Sequence, residues 1–350
     1  MSLNKLYRKA RADAHFFVSH KLLKRPYFWT DYPTVVQIDT TNHCGKKYCD
    51  VICEYCQPQW KIAQGDWKYG EMSMEMIEWI LRDIGKYGKN MTYIMMFLNG
   101  DGLTDLRYPE ILGYAKRVAP SVPTQTFTCG TLTENAYLLC DKNLDKVSFT
   151  VSASNRELYR QVHRGDKFDA VIETMKYVTE NRKPNQQLEV HYVITEKNFP
   201  YMRDWWRFMG SNFPEWKRVF SPLVASFDNF PSKRALGNLT TEMQEREIAK
   251  FVGSAFWRRE AVSWRQPCVL WNNASITCDG TILQCCNWCD PVWNYGNVKD
   301  YMRNGLSLRD YWMMKMANKQ NNVLCESCNL RHPDWKKRLE NIRVSAKISK

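Results

Sequence analysis

The strongest constraint on this chain is a repeated alternation of short β-branched or aromatic runs with helical stretches. "TVVQID" (34–39), "MTYIMMFL" (91–98), "TQTFT" (124–128), "KVSFTVS" (146–152), "QLEVHYVI" (187–194) and "KRVFSPL" (217–223) read as strands. Between them lies a helix capped by Ser73, with Ile77, Ile80, Leu81 and Ile84 on one face. Further helices are expected over 107–118, 134–141 and 155–181, and from Tyr201 onward. Six β-α repeats predict a parallel sheet with right-handed crossovers. Chemistry in such sheets gathers at the carboxyl ends of the strands. Three phrases fall at those ends: "CDVICEYC" (49–56), "NGDG" (99–102) and "TCG" (128–130).

The rest of the chain frames this core. Of 350 residues, 44% are hydrophobic, including 14 Trp, 18 Tyr and 15 Phe, so a large core is available and extended disorder is not expected. Residues 1–32 form a basic lead, its first 25 residues compatible with an amphipathic helix able to touch a membrane surface. The β-α pattern occupies 33–235. A helix around 240–258 then leads into a cysteine-rich segment (268–328), with a hairpin turning at Asp279-Gly280, and 332–350 is a basic tail. No apolar run reaches the length of a membrane span and no signal-peptide core is present, so a cytoplasmic protein is expected. The formal net charge of +13 suits an acidic partner: nucleic acid, anionic lipid, a phosphorylated substrate or an acidic electron carrier.

Thirteen cysteines, an odd number gathered toward two regions, argue against a disulfide framework and for thiolate-bound metal. Cys49, Cys53 and Cys56 form Cys-x3-Cys-x2-Cys, three soft ligands that leave one coordination position open. Cys44 can serve as a fourth ligand, which keeps zinc open, or compete with Cys49 as the first. A second set, Cys268 and Cys285 flanking Gly280 together with Cys325 and Cys328 of "CESC", makes a four-ligand site for zinc or a cluster, with Cys286 and Cys289 to spare.

The Cys-x3-Cys-x2-Cys loop after the first strand, with Tyr55 before its last cysteine, resembles the radical S-adenosylmethionine superfamily. The resemblance implies a partial (β/α)6 TIM-like barrel and a [4Fe–4S] cluster on Cys49, Cys53 and Cys56, whose open iron binds S-adenosylmethionine. "FLNGDGL" (97–103) is similar to the family's glycine-rich motif, so Asn99, Gly100, Asp101 and Gly102 would meet the methionine ammonium; only Gly100 is identical to the usual Gly-Gly-Glu-Pro. "FTVS" (149–152) places Thr150 or Ser152 near the ribose, and "YRQVHRG" (159–165) offers Arg164 to the carboxylate. "FTCGTLT" (127–133) puts Cys129 where asparagine is usual, as a hydrogen-atom donor facing the cavity or as a plain small buried residue. The C-terminal set resembles a SPASM or twitch auxiliary domain over 236–331, implying one auxiliary [4Fe–4S] cluster on Cys268, Cys285, Cys325 and Cys328.

The expected function is therefore oxidation or epimerisation of a small-molecule or sugar substrate by hydrogen-atom abstraction, with a low-potential electron donor such as ferredoxin or flavodoxin. The short lead before the first strand favours a small molecule over a peptide; a peptide-modifying enzyme is the alternative. From another class, a zinc-stabilised nucleic-acid-binding protein would use the basic charge and the aromatic residues.

Overall fold

The computed structural model describes residues 30–44, 46–223, 231–252, 272–283, 285–286 and 294–317. The six expected strands are present as β1 (Val35–Ile38), β2 (Tyr93–Met95), β3 (Thr124–Thr128), β4 (Lys146–Thr150), β5 (Gln187–Ile194) and β6 (Lys217–Pro222). They pair in parallel in chain order, from β1 to β6. The sheet does not end at β1. β7 (Asn273–Ile276) pairs in parallel with β1, and β8 (Thr281–Leu283) and β9 (Asn294–Asn297) extend it antiparallel, giving nine strands. The hairpin expected at Asp279-Gly280 joins β7 to β8, with Gly280 at φ +90.

Period-two alternation sorts the strand residues onto two faces. Val36, Ile38, Ile94, Val147, Phe149, Val190, Tyr192 and Ile194 are fully buried in one core with the helices. The alternate residues are largely polar, with Val35, Met95, Phe127 and Val193 among them. Gln37 binds Met95 and Ser275, and Gln125 donates to Ser148. This polar layer lines the inner side of the curled sheet.

The helices between β1 and β6 are α1 (Lys46–Cys49), α2 (Gln57–Ala63), α3 (Met74–Tyr87), α4 (Tyr108–Val118), α5 (Arg156–His163), α6 (Phe168–Asn181) and α7 (Met202–Asn212). After β6 come α8 (Pro231–Leu236), α9 (Thr241–Val252), α10 (Val298–Arg303) and α11 (Leu308–Ala317). α3 begins as expected: the Ser73 hydroxyl accepts from Met76 N at 3.3 Å, and Ile77, Ile80, Leu81 and Ile84 are completely buried. Each such side chain contributes roughly 1.5–3 kcal/mol. Residues 133–140 form a 3-10 helix rather than an α-helix. The mostly helical stretch expected over 155–181 is two helices, because Arg164 adopts the left-handed conformation (φ 52) and ends α5. A Cβ on the next residue, Gly165, would lie 2.3 Å from Asp50 O, so this break admits the cysteine loop. Among the described residues no helix is long and apolar enough to cross a membrane. The basic lead up to residue 29 and the tail 332–350 lie outside the described residues.

Candidate radical-cluster site

The site is built at the carboxyl ends of β1, β3 and β4. Beyond β1, the fully buried Asp39 accepts hydrogen bonds from Asn99 N (2.9 Å), Asn99 Nδ2 (3.0 Å) and Gly100 N (3.3 Å). Burial pushes its carboxyl up to about 7 against the lowering effect of those donors. Asp39 thus fixes the "NGDG" turn against the strand that launches the cysteine loop. Asp101 makes the complementary tie to β3: it accepts from Leu103 N (2.9 Å), Thr128 Oγ1 (2.7 Å) and Cys129 N (2.7 Å). Gly102 lies close to the Thr126 hydroxyl, where a Cβ would come within 2.6 Å.

The loop thiols converge in this frame. Cys49 is buried and shares hydrogen bonds with the thiols of Cys129 and Cys44; these bonds, with burial, raise its thiol far above the ordinary range. The thiols of Cys49 and Cys129 and a carboxylate oxygen of Asp101 lie within 4.8 Å of one another. Burial, then the charges of Cys44 and Cys129, hold Cys56 up at about 12. Cys53 is raised well above its usual value by burial, then by Cys56, Cys44 and Cys129. The Cys49 bond lowers Cys129, but burial and the Asp101 charge leave it raised to about 11. Cys49, Cys53, Cys56 and Cys129 are thus all held protonated, with Cys44 beside them. A cationic, thiophilic centre reverses that balance, so the donor set fits an iron–sulfur core. Around a single tetrahedral zinc ion thiolates lie about 3.8 Å apart. Cys49, Cys53 and Cys56 are not gathered within 4.8 Å of one another, a wider spacing than one ion sets.

Other expected residues fall as follows. Tyr55 is half-buried beside Ser152 and Cys53, its hydroxyl buried but short of hydrogen-bond geometry with either. Ser152 is fully buried, and its hydroxyl accepts from Val193 N at 3.0 Å. Thr150 is half-buried on the inner face, paired with His191 of β5. Arg164 is exposed at the end of α5. Cys44 is half-buried within the same sulfur group, so both it and Cys49 reach the site. In the second set, Cys285 and Cys286 are half-buried, while Cys268, Cys289, Cys325 and Cys328 lie outside the described residues.

Sequence reading passed over His163. This fully buried residue closes α5, and its neighbours grip the loop: Ile52 N donates to His163 O (3.0 Å) and Glu54 N to Val162 O (2.9 Å). Its ring stacks on Tyr159 with centroids 4.3 Å apart, and Nδ1 lies 3.1 Å from Cys53 Sγ. The only sequence signal was its position beside the arginine of "HRG".

Residues 46–200 match the family model described as the Radical SAM superfamily. No curated protein matches the chain. Among solved structures, native anSMEcpe with bound AdoMet and Cp18Cys peptide aligns with TM-score 0.57 and 14% identity, covering 90% of this chain and 97% of that one. Native anSMEcpe with bound AdoMet alone gives TM-score 0.55 and 14% identity over the same shares. These likenesses are of fold. The similarity to the Radical SAM superfamily model spans residues 46–200, somewhat under half of the chain.

Proposed function

We propose that the protein is a radical S-adenosylmethionine oxidoreductase that abstracts a hydrogen atom from a small, neutral, hydroxylated substrate. The observation that supports this is that Cys49, Cys53 and Cys56 each interact with Cys44 and Cys129, inside the segment matched by the family model. Those three cysteines would hold a [4Fe–4S] cluster. When bound, the cluster and S-adenosylmethionine supply one-electron cleavage to a 5′-deoxyadenosyl radical. The chain's own residues bind and orient. Backbone groups of Asn99–Gly102, fixed by Asp39, would meet the methionine ammonium. Tyr55 and Thr150 or Ser152 would border the nucleoside, and Arg164 would take the carboxylate. Cys129 would return a hydrogen atom to the substrate radical.

The inner face supports the substrate class. Phe97, Phe127, Thr150, His191 and Ser221 are all half-buried there, with Phe97–Phe127 and Phe127–His191 centroids 5.2 and 5.0 Å apart. His191 Nδ1 lies 3.0 Å from Ser221 Oγ, and burial lowers its pKa, keeping it neutral. Lys146 and Lys217 both pair with Glu189 at 2.7 Å. Aromatic faces beside hydroxyl and imidazole groups suit a polyol or sugar more than an anion. A peptide substrate is the alternative. An auxiliary cluster on Cys268, Cys285, Cys325 and Cys328 would pass the substrate electron on, and a ferredoxin or flavodoxin would reduce the radical cluster.

The test is anaerobic reconstitution, then incubation with reductant, S-adenosylmethionine and deuterated candidate polyols or peptides. Deuterium in 5′-deoxyadenosine identifies the substrate. Colourless protein binding zinc in place of iron, with no cofactor cleavage, would refute the proposal.

A further inference from the structure

We infer that His163 is a neutral N–H···S donor to the cluster ligand Cys53, and so a positioning residue that sets the reduction potential of the radical cluster. The inference rests on the proposed cluster ligation. Two hydrogen bonds fix its direction. The Ser152 backbone N–H can only donate, and it lies 3.1 Å from His163 Nε2. Nε2 is therefore the acceptor nitrogen of the ring, and a neutral imidazole then carries its proton on Nδ1. Nδ1 is 3.1 Å from Cys53 Sγ, so the proton points at the sulfur.

The ring has no freedom to turn away. It is completely buried, stacks on Tyr159 at 4.3 Å, and faces the edge of Tyr55 at 6.3 Å. The backbone bonds from Ile52 and Glu54 to α5 hold Cys53 opposite it. A donor to a ligating sulfur stabilises the more electron-rich, reduced cluster and raises its potential. His163 lies just before Arg164, so one helix end serves both the cluster and the proposed carboxylate contact.

The experiment is an anaerobic EPR-monitored redox titration of the reconstituted full chain, read on the signal that responds to added S-adenosylmethionine. His163→Phe keeps the ring and its stacking but removes the donor. It is expected to bind the same iron and to disfavour reduction about tenfold, equivalent to about 59 mV for one electron. His163→Gln, which restores an amide donor, should recover most of that shift. A Phe variant with wild-type iron and wild-type potential overturns the inference. Should the Phe variant assemble no cluster, pulsed EPR of the wild-type protein with 15N-labelled histidine decides: a 15N coupling on the reduced cluster supports the hydrogen bond, and its absence overturns it. Failure of the underlying ligation looks different: iron content is then unchanged by Cys53→Ala, and the inference falls with it.

Discussion

Replacing Gly100 with alanine should disable the site without touching a proposed ligand. The added Cβ would lie 2.0 Å from Thr41 O, 2.8 Å from Thr41 C and 2.9 Å from Asn42 Cα. All three are backbone atoms, so no rotamer change relieves the clash. Carbon prefers non-bonded neighbours at about 3.5 Å or more, so the two segments must separate by over an ångström. The 41–42 segment cannot easily yield: Asn42 Nδ2 donates to Lys68 O (2.9 Å), and Asn42 Oδ1 accepts from Gly70 N (2.7 Å). Separation strains the Gly100 N bond to Asp39 and the Asp101 N bond to His43 O. Overpacking costs about 1–3 kcal/mol and a weakened bond to a buried carboxylate about 1.5–3 more, together roughly 3–5 kcal/mol. At about 2–4 °C per kcal/mol, the melting temperature should drop by roughly 6 °C or more. Circular dichroism melts, together with iron per chain after anaerobic reconstitution, provide the assay. Gly113→Ala, within α4, is the control: its Cβ would lie 3.9 Å from Asn143 Nδ2 and 4.0 Å from Arg117 Nη1, so it should be neutral or slightly stabilising. A Gly100→Ala protein that melts within about a degree of wild type and loads full iron would refute the close-packing explanation.

Cys53→Ala and Cys56→Ala should each abolish iron binding at the first site, and Cys49→Ala should resemble them while Cys44→Ala retains the cluster; iron content and visible absorbance distinguish these cases. Cys129→Ala should still form 5′-deoxyadenosine but lose most product, measured as the ratio of the two; full coupled turnover would dispose of the donor role. Asp39 gives a pH dependence. Its carboxyl holds a proton up to about 7 when folded but only to about 3.8 when unfolded, so the folded state binds more protons between those values. Stability should therefore fall as pH rises through that window, by up to roughly 4 kcal/mol, with Asp83, raised to about 6, acting in the same direction. Urea unfolding at pH 5 and pH 8 should show the decline, and Asp39→Asn should flatten it.

Local pattern made much of the fold legible. "TQTFT" and "QLEVHYVI" match β3 and β5 residue for residue, because β-branched and aromatic runs bounded by polar turns admit few alternatives. The apolar face of α3 and its Ser73 cap were equally plain. β2 was over-extended, because apolar "MFL" continues past the point where the chain turns to reach Asp39. The left-handed Arg164 that separates α5 from α6 was not legible, because a non-glycine residue does not advertise that conformation. The Cys-x3-Cys-x2-Cys loop could be located from its spacing. His163 could not, because its partners Cys53 and Ser152 are 110 and 11 residues away, and only the folded chain brings all three together.

Pairing of β1 with β7 also bears on biosynthesis. Val35 meets Asn273 in that ladder, so the strand that launches the cysteine loop keeps one bare edge until most of the polypeptide has left the ribosome. A chain cut before residue 273 should expose an adhesive strand edge and aggregate.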